Sequence, residues 1–214
     1  MGNQHDYLPA AGNDRMLPCY DLLSRVLGTP KVHRRLLDLA GTPTGPTLEI
    51  GCGTGNLTVM ARQMYPELPA ADIVGTDPDP LALARAEHKA IGLTGIRFER
   101  AYAQALPYPD GSFDRARSAY MLLHLDSEVR KQAAAEVHRV LRPGGTFFVV
   151  DVGGRITPSD GFTARRMLRS HHVAGNLGDG IPQLLTGAGF ARCEELHSEI
   201  VPLVGRVTYY AADR

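Results

Sequence analysis

The chain has 214 residues, 43% of them hydrophobic and 21% charged. That is ordinary globular usage, and it excludes a wholly disordered chain, a collagen or a long coiled coil. Twenty-three Lys and Arg balance 23 Asp and Glu, so the basic excess of a protein that neutralises many nucleic-acid phosphates is missing.

In chain order, Leu17, Tyr20, Leu23 and Leu27, then Val32, Leu36, Leu37 and Leu39, recur at helical spacing, and Gly28-Thr29-Pro30 splits Met16–Ala40 into two helices. Thr47–Ile50 reads as a strand, Asn56–Tyr65 as a helix and Asp72–Asp77 as a second strand. Pro78–Ile91 is a helix with Pro80 in its first turn and Gly92 at its stop. Strands follow at Ile96–Glu99 and Phe113–Ala119, then a helix at Ser127–Leu141 with Ser127 as its N-cap. Thr146–Val152 is a continuously apolar strand, as strands buried on both faces are. Helical pieces at Thr163–Val173 and Ile181–Ala188 lead to two last strands, Cys193–Val201 and Arg206–Ala212. The link between those two is too short for a crossover helix, so they form an antiparallel hairpin. The alternation predicts an α/β, Rossmann-like doubly wound sheet of seven strands, mostly parallel, with an antiparallel last strand and helices on both faces.

Gly51-Cys52-Gly53-Thr54-Gly55 follows the first strand and leads into a helix, the place where an open parallel sheet binds ligands. Its spacing is GxGxG. The dinucleotide pattern GxGxxG fails, because Asn56 stands where the third glycine belongs, and there is no GxxxxGK[ST] phosphate loop.

Glu49-Ile50-Gly51-Cys52-Gly53-Thr54-Gly55 resembles the first motif of the class I S-adenosylmethionine-dependent methyltransferases, in the small-molecule branch related to ubiquinone and menaquinone biosynthesis. Gly75-Thr76-Asp77, the run from Ala103 to Asp114, and Leu141-Arg142-Pro143-Gly144-Gly145 are similar to later motifs of that family, in the same order. The resemblance implies that 1–40 is a helical lid segment and 41–214 the catalytic domain. S-adenosylmethionine is the implied cofactor. It carries a sulfonium, a ribose, an adenine and an amino acid tail, and no phosphate, which suits a glycine turn that is no phosphate cradle.

The implied cofactor residues are Tyr20, Glu49, Gly51, Cys52, Gly53, Asp77, Pro78, Tyr102, Ala103, Gln104 and Ser118. Asp77 ends the second strand, where a carboxylate can accept both ribose hydroxyls; its alternative role is a helix cap. Glu49 orders the turn or meets the cofactor's ammonium end. Tyr102 stands where the family carries an aspartate for the adenine amino group. Ser118 falls where the family lines the methionine part with backbone, and Tyr20 matches a Tyr-Asp pair that closes over the cofactor.

Methyl transfer is an in-line displacement that needs orientation first and a base only when the acceptor must lose a proton. His124, after the fourth strand, is the candidate base. Arg115 and Arg117 are unusual in a buried strand and imply an internal ion pair or a carboxylate partner. His171-His172 point apart on a helix, and Cys19, Cys52 and Cys193 are scattered, so neither a metal site nor a disulfide framework is expected. Met1–Ala10 lacks a signal peptide's apolar core, and no run reaches the ~20 residues that span a bilayer. The expectation is a cytoplasmic enzyme that methylates a small molecule and has no nucleic-acid or membrane partner. Monomer and homodimer stay open. The alternative is a protein of the same fold that binds the cofactor and catalyses a non-methylating reaction such as a cyclisation.

Overall fold

The computed structural model describes residues 17–66 and 72–214, with backbone alone at 17–20, 162, 165, 166, 171 and 172. It opens on helices α1 (Leu17–Val26) and α2 (Thr29–Ala40). Gly28 parts them at φ 76°, a left-handed value glycine adopts without steric cost. α2 turns Val32, His33, Leu36, Leu37 and Ala40 inward. Leu36 and Leu37 are fully buried, worth roughly 1.5–3 kcal/mol each, so this half of the expected lid is also core.

The alternation then runs β1 (Thr47–Ile50), α3 (Asn56–Met64), β2 (Ile73–Asp77), α4 (Pro80–Lys89), β3 (Ile96–Arg100), β4 (Phe113–Ala119), α5 (Ser127–Val140) and β5 (Leu141–Val152). Short helices α6 (Phe162–Met167), α7 (His171–Ala174) and α8 (Gly180–Gly187) precede the hairpin β6 (Arg192–Val201) and β7 (Gly205–Asp213). The seven strands form one sheet in the order β3-β2-β1-β4-β5-β7-β6. The first five pair in parallel, and β7 runs antiparallel to both its neighbours, as the sequence predicts.

Alternate residues of β5 enter two cores. Phe147 and Val149 pack with Val137 of α5 and Leu185 of α8, while Phe148 and Val150 pack with Leu36 of α2 and Leu57 of α3. Both faces of the sheet are thus covered, which is why β1 and β2 are buried at every position.

Three local expectations change. The cap of α5 is Asp126, whose Oδ1 accepts from Glu128 N at 3.0 Å and Val129 N at 2.9 Å; Ser127 is the first helical residue. A carboxylate also meets the positive end of the helix dipole, which a hydroxyl cannot do as well. Strand pairing begins at Leu141 rather than Thr146, because Leu141 pairs with Phe113 before the Pro143-Gly144-Gly145 stretch bulges out. The single helix expected over Thr163–Val173 is broken between Met167 and His171. From β1 the sheet grows one way to β2 and β3 and the other way to β4 and β5. This reversal opens a crevice at the carboxyl ends of β1 and β4.

Candidate active site

The glycine turn fills that crevice. Gly51, Gly53 and Gly55 have φ of 66°, 52° and 75°, all left-handed. A Cβ on Gly51 would lie 2.3 Å from Met121 Cγ, and one on Gly55 2.6 Å from the Ala86 Cβ. Those two glycines let the turn close against the β4 exit and α4. Gly53 donates its N–H to Asp77 Oδ2 at 2.8 Å. A cavity of about 610 Å³ opens beside the turn, within the ~300–1,000 Å³ usual for small-ligand sites.

Most of the residues singled out in the sequence meet there. Glu49, Gly51, Cys52, Gly53, Asp77 and Pro78 line it from the ends of β1 and β2. Tyr102, Ala103 and Gln104 line it from the β3 exit, and His124 from a 3₁₀ turn, Leu122–His124. Ser118 does not line it. That residue is 1% exposed, and Ala119, Tyr120 and Met121 take its place in the wall. The side chain of Tyr20 lies outside the described residues, though its helix supplies Leu23, Ser24 and Leu27. The side chains of Arg165, Arg166, His171 and His172 also lie outside them. Among the described residues no group of three or more His, Cys, Asp and Glu could hold a metal ion.

The walls are acidic. Glu49, Asp77 and Asp126 line the cavity, and no Lys or Arg does so among the described residues. Glu49 is 3% exposed and accepts Thr58 Oγ1 at 2.6 Å. Burial pushes its carboxyl up to about 7, against the opposing pull of the Thr58 hydroxyl and the Arg117 charge. Asp77 is raised by burial as well, although Oδ1 accepts Asp79 N at 2.9 Å in addition to the Gly53 bond at Oδ2. The cap of α4 is Asp79, accepting from Leu81 N and Ala82 N, so Asp77 is released from the capping role. Burial, Glu49 and Asp77 together hold the Cys52 thiol well up, protonated and suited to packing.

Several contacts of the site carried no signal in the sequence, which pointed to Asp21 only as the second member of the Tyr-Asp pair. Asp21 of α1 accepts Lys89 Nζ at 2.7 Å, Thr54 Oγ1 at 2.8 Å and Asn56 Nδ2 at 3.0 Å, all at Oδ1. Lys89 also donates to Thr54 O and Asn56 Oδ1. Asn56, the residue that spoils the dinucleotide pattern, therefore clips the lid helix to the turn. Asp151, fully buried, accepts Leu123 N at 3.3 Å and so braces the turn that carries His124. Tyr120 sits at φ 56°, an uncommon conformation for a bulky residue and one that concentrates at functional sites. Arg115 is spent internally. Its Nη1 donates to Gly41 O at 2.6 Å and its guanidinium lies 5.2 Å from the Phe148 ring centre.

A family model described as a methyltransferase domain matches residues 47–145, which hold the glycine turn, Asp77 and the β3 and β4 exits. This stretch is therefore similar to methyltransferase domains. A demethylmenaquinone methyltransferase of Thermus thermophilus is 38% identical to the chain over 140 residues, 63% of this chain and 61% of that protein. The chain thus spans about three fifths of that relative's length. A structure from Thermotoga maritima described as a possible histamine N-methyltransferase superposes with a TM-score of 0.67 at 21% identity, covering 93% of this chain and 96% of that one. Geranyl diphosphate methyltransferase in complex with its S-adenosylmethionine gives 0.63 at 18% identity, covering 86% and 85%. These two likenesses are of fold. Within residues 47–145 the carboxylates fit a cofactor with a sulfonium and an ammonium, while a diphosphate would be repelled by them. No helix among the described residues is long and apolar enough to cross a membrane.

Proposed function

We propose that this chain transfers a methyl group from S-adenosylmethionine to an oxygen, nitrogen or activated carbon of a small-molecule metabolite. The observation that carries the reading is the acidic cavity beside the glycine turn, with Glu49 and Asp77 in its wall and no described Lys or Arg. When bound, the cofactor supplies an activated methyl on a sulfonium leaving group. The rest falls to the chain. Asp77 accepts the ribose hydroxyls and Glu49 the ammonium of the tail. The backbone of Gly51, Cys52 and Gly53 passes beside that tail, and Pro78, Tyr102, Ala103 and Gln104 enclose the adenine. Ser118 stands behind the methionine part, and Tyr20 closes from the lid segment, 1–40, over the domain of 41–214. His124 takes the acceptor's proton at the cavity wall. The cavity excludes water and holds the acceptor in line, which is the larger share of the catalysis. The enzyme works in the cytoplasm, without a nucleic-acid or membrane partner.

Incubation with methyl-labelled cofactor and a small-molecule extract tests this, read by mass spectrometry as a product heavier by one methylene. Tight binding of S-adenosylhomocysteine with no label transfer would overturn it in favour of a non-methylating reaction such as a cyclisation.

A further inference from the structure

His33 of α2, which belongs to none of the family motifs, lines the same cavity. It is 8% exposed, and its Nδ1 is enclosed without a hydrogen-bond partner. A buried polar atom with no partner is costly, and most so when it is a donor, which bears on where the ring carries its proton. Burial pulls the imidazole down to about 4, so the ring is neutral near pH 7. A neutral imidazole carries one N–H. An orphaned buried N–H is rarer than an orphaned acceptor lone pair, which places the lone pair at enclosed Nδ1 and the proton at Nε2. Nε2–H is then the only donor the ring can offer a ligand.

The neighbourhood narrows that ligand. Of the residues that α1, α2 and the β6–β7 turn bring to the cavity with His33, Leu23, Leu27 and Val204 are apolar and Ser24 and Thr29 carry neutral hydroxyls. The charged groups in the described wall are carboxylates. An anionic acceptor would meet repulsion and find no cationic partner there, whereas a neutral oxygen would satisfy the His33 N–H.

We infer that His33 is an acceptor-binding residue, whose Nε2–H donates to an uncharged carbonyl or hydroxyl oxygen of an apolar methyl acceptor. This rests on the methyltransferase reading and assigns the acceptor half of the cavity. His33 thereby holds the acceptor by its oxygen, while His124 handles the departing proton.

Acetophenone and benzoate separate the charge classes, since they share a ring and differ in carrying a neutral carbonyl or a carboxylate. With protein saturated by S-adenosylhomocysteine, saturation-transfer NMR should show acetophenone bound and benzoate unbound. His33→Leu should bind acetophenone about fivefold more weakly, the loss of one hydrogen bond. His33→Gln, which keeps an N–H donor, should recover part of it. Both variants should bind S-adenosylhomocysteine as the parent does, and His33→Leu should melt no lower, because a partnerless polar ring has gone. Imidazole ¹⁵N shifts should report the Nε2–H form of His33 and move when acetophenone is added. Equal binding of benzoate, or unchanged acetophenone binding in His33→Leu, would overturn the assignment. Failure of the parent protein to bind S-adenosylhomocysteine would be a different result, one that removes the cofactor reading itself.

Discussion

Glu49 of β1 and Arg117 of β4 stand directly opposite each other in adjacent parallel strands. Both are buried, at 3% and 1% exposure, and Arg117 Nε and Nη1 have no hydrogen-bond partner. Burial alone pushes Glu49 towards its neutral form, and the Arg117 charge opposes that. The guanidinium is itself pulled down to about 10 by burial and by Arg115. Arg117 therefore acts on Glu49 through its field.

Arg117→Met should make Glu49 harder to ionise. Glu49 is neutral below about 7 and charged above it, so affinity for the ammonium of S-adenosylhomocysteine should rise as pH passes upward through 7. In the variant this rise should move to higher pH, and Arg117→Lys should move it back. Calorimetric titrations between about pH 6 and about pH 8 read the shift. The variant's melting temperature should hold or increase, since an incompletely paired buried charge is removed. Identical pH profiles would show that Arg117 has no hold on Glu49.

Asp77→Ala should weaken S-adenosylhomocysteine binding by ~1–3 kcal/mol, the scale of losing a charged hydrogen-bond partner. Asp77→Asn should also weaken it. Asp77 uses one oxygen for Gly53 N and the other for Asp79 N, and an amide has only one acceptor oxygen. Unchanged affinity in both variants would remove Asp77 from the ribose.

The Asp21–Lys89 clip predicts a kinetic effect. Lys89→Met leaves α1 tied to the turn only through Thr54 and Asn56. Amides of α1 should exchange faster with deuterated water, and S-adenosylhomocysteine should dissociate roughly fivefold faster, as expected for ~1 kcal/mol in a partly exposed network. Stopped-flow release and hydrogen exchange measure the two effects, and a variant with neither would show the clip to be idle.

Stability should fall between about pH 6.5 and about pH 8. Burial raises Asp151 from 3.8 to about 7 and Glu49 from 4.5 to about 7. The folded state therefore binds more protons than the unfolded one, and this contribution is present at low pH and lost as pH rises through 7. Over the whole span from the unfolded value to about 7 the contribution is roughly 3–4 kcal/mol for each group, of which about 1 kcal/mol or less is still to be lost above about pH 6.5. His33, lowered from 6.5 to about 4, works in the opposite sense; above about 6.5 only its unfolded state still titrates, which offsets the fall by a few tenths of a kcal/mol and is complete by about pH 7.5. Melting curves across this range should slope downward, and Asp151→Asn should flatten the slope. An unchanged slope in Asp151→Asn would mean that Asp151 does not carry the effect.

The strand and helix order, the antiparallel β7, the glycine turn and the carboxylate at Asp77 were all legible from the residues alone. Each depends on neighbours along the chain: apolar period, turn chemistry, or a motif of fixed spacing. The resemblance likewise located Glu49 and Tyr102, and the place of His124 after the fourth strand singled it out; all three line one cavity. Folding alone set Glu49 opposite Arg117, clipped Asp21 to Lys89, set Asp151 under Leu123 and brought His33 to the cavity. These contacts join residues far apart in the chain, and no periodicity marks them. His33 reads locally as one more polar residue on an amphipathic helix, and only the packing of α2 against the sheet decides that it faces a cavity instead of water.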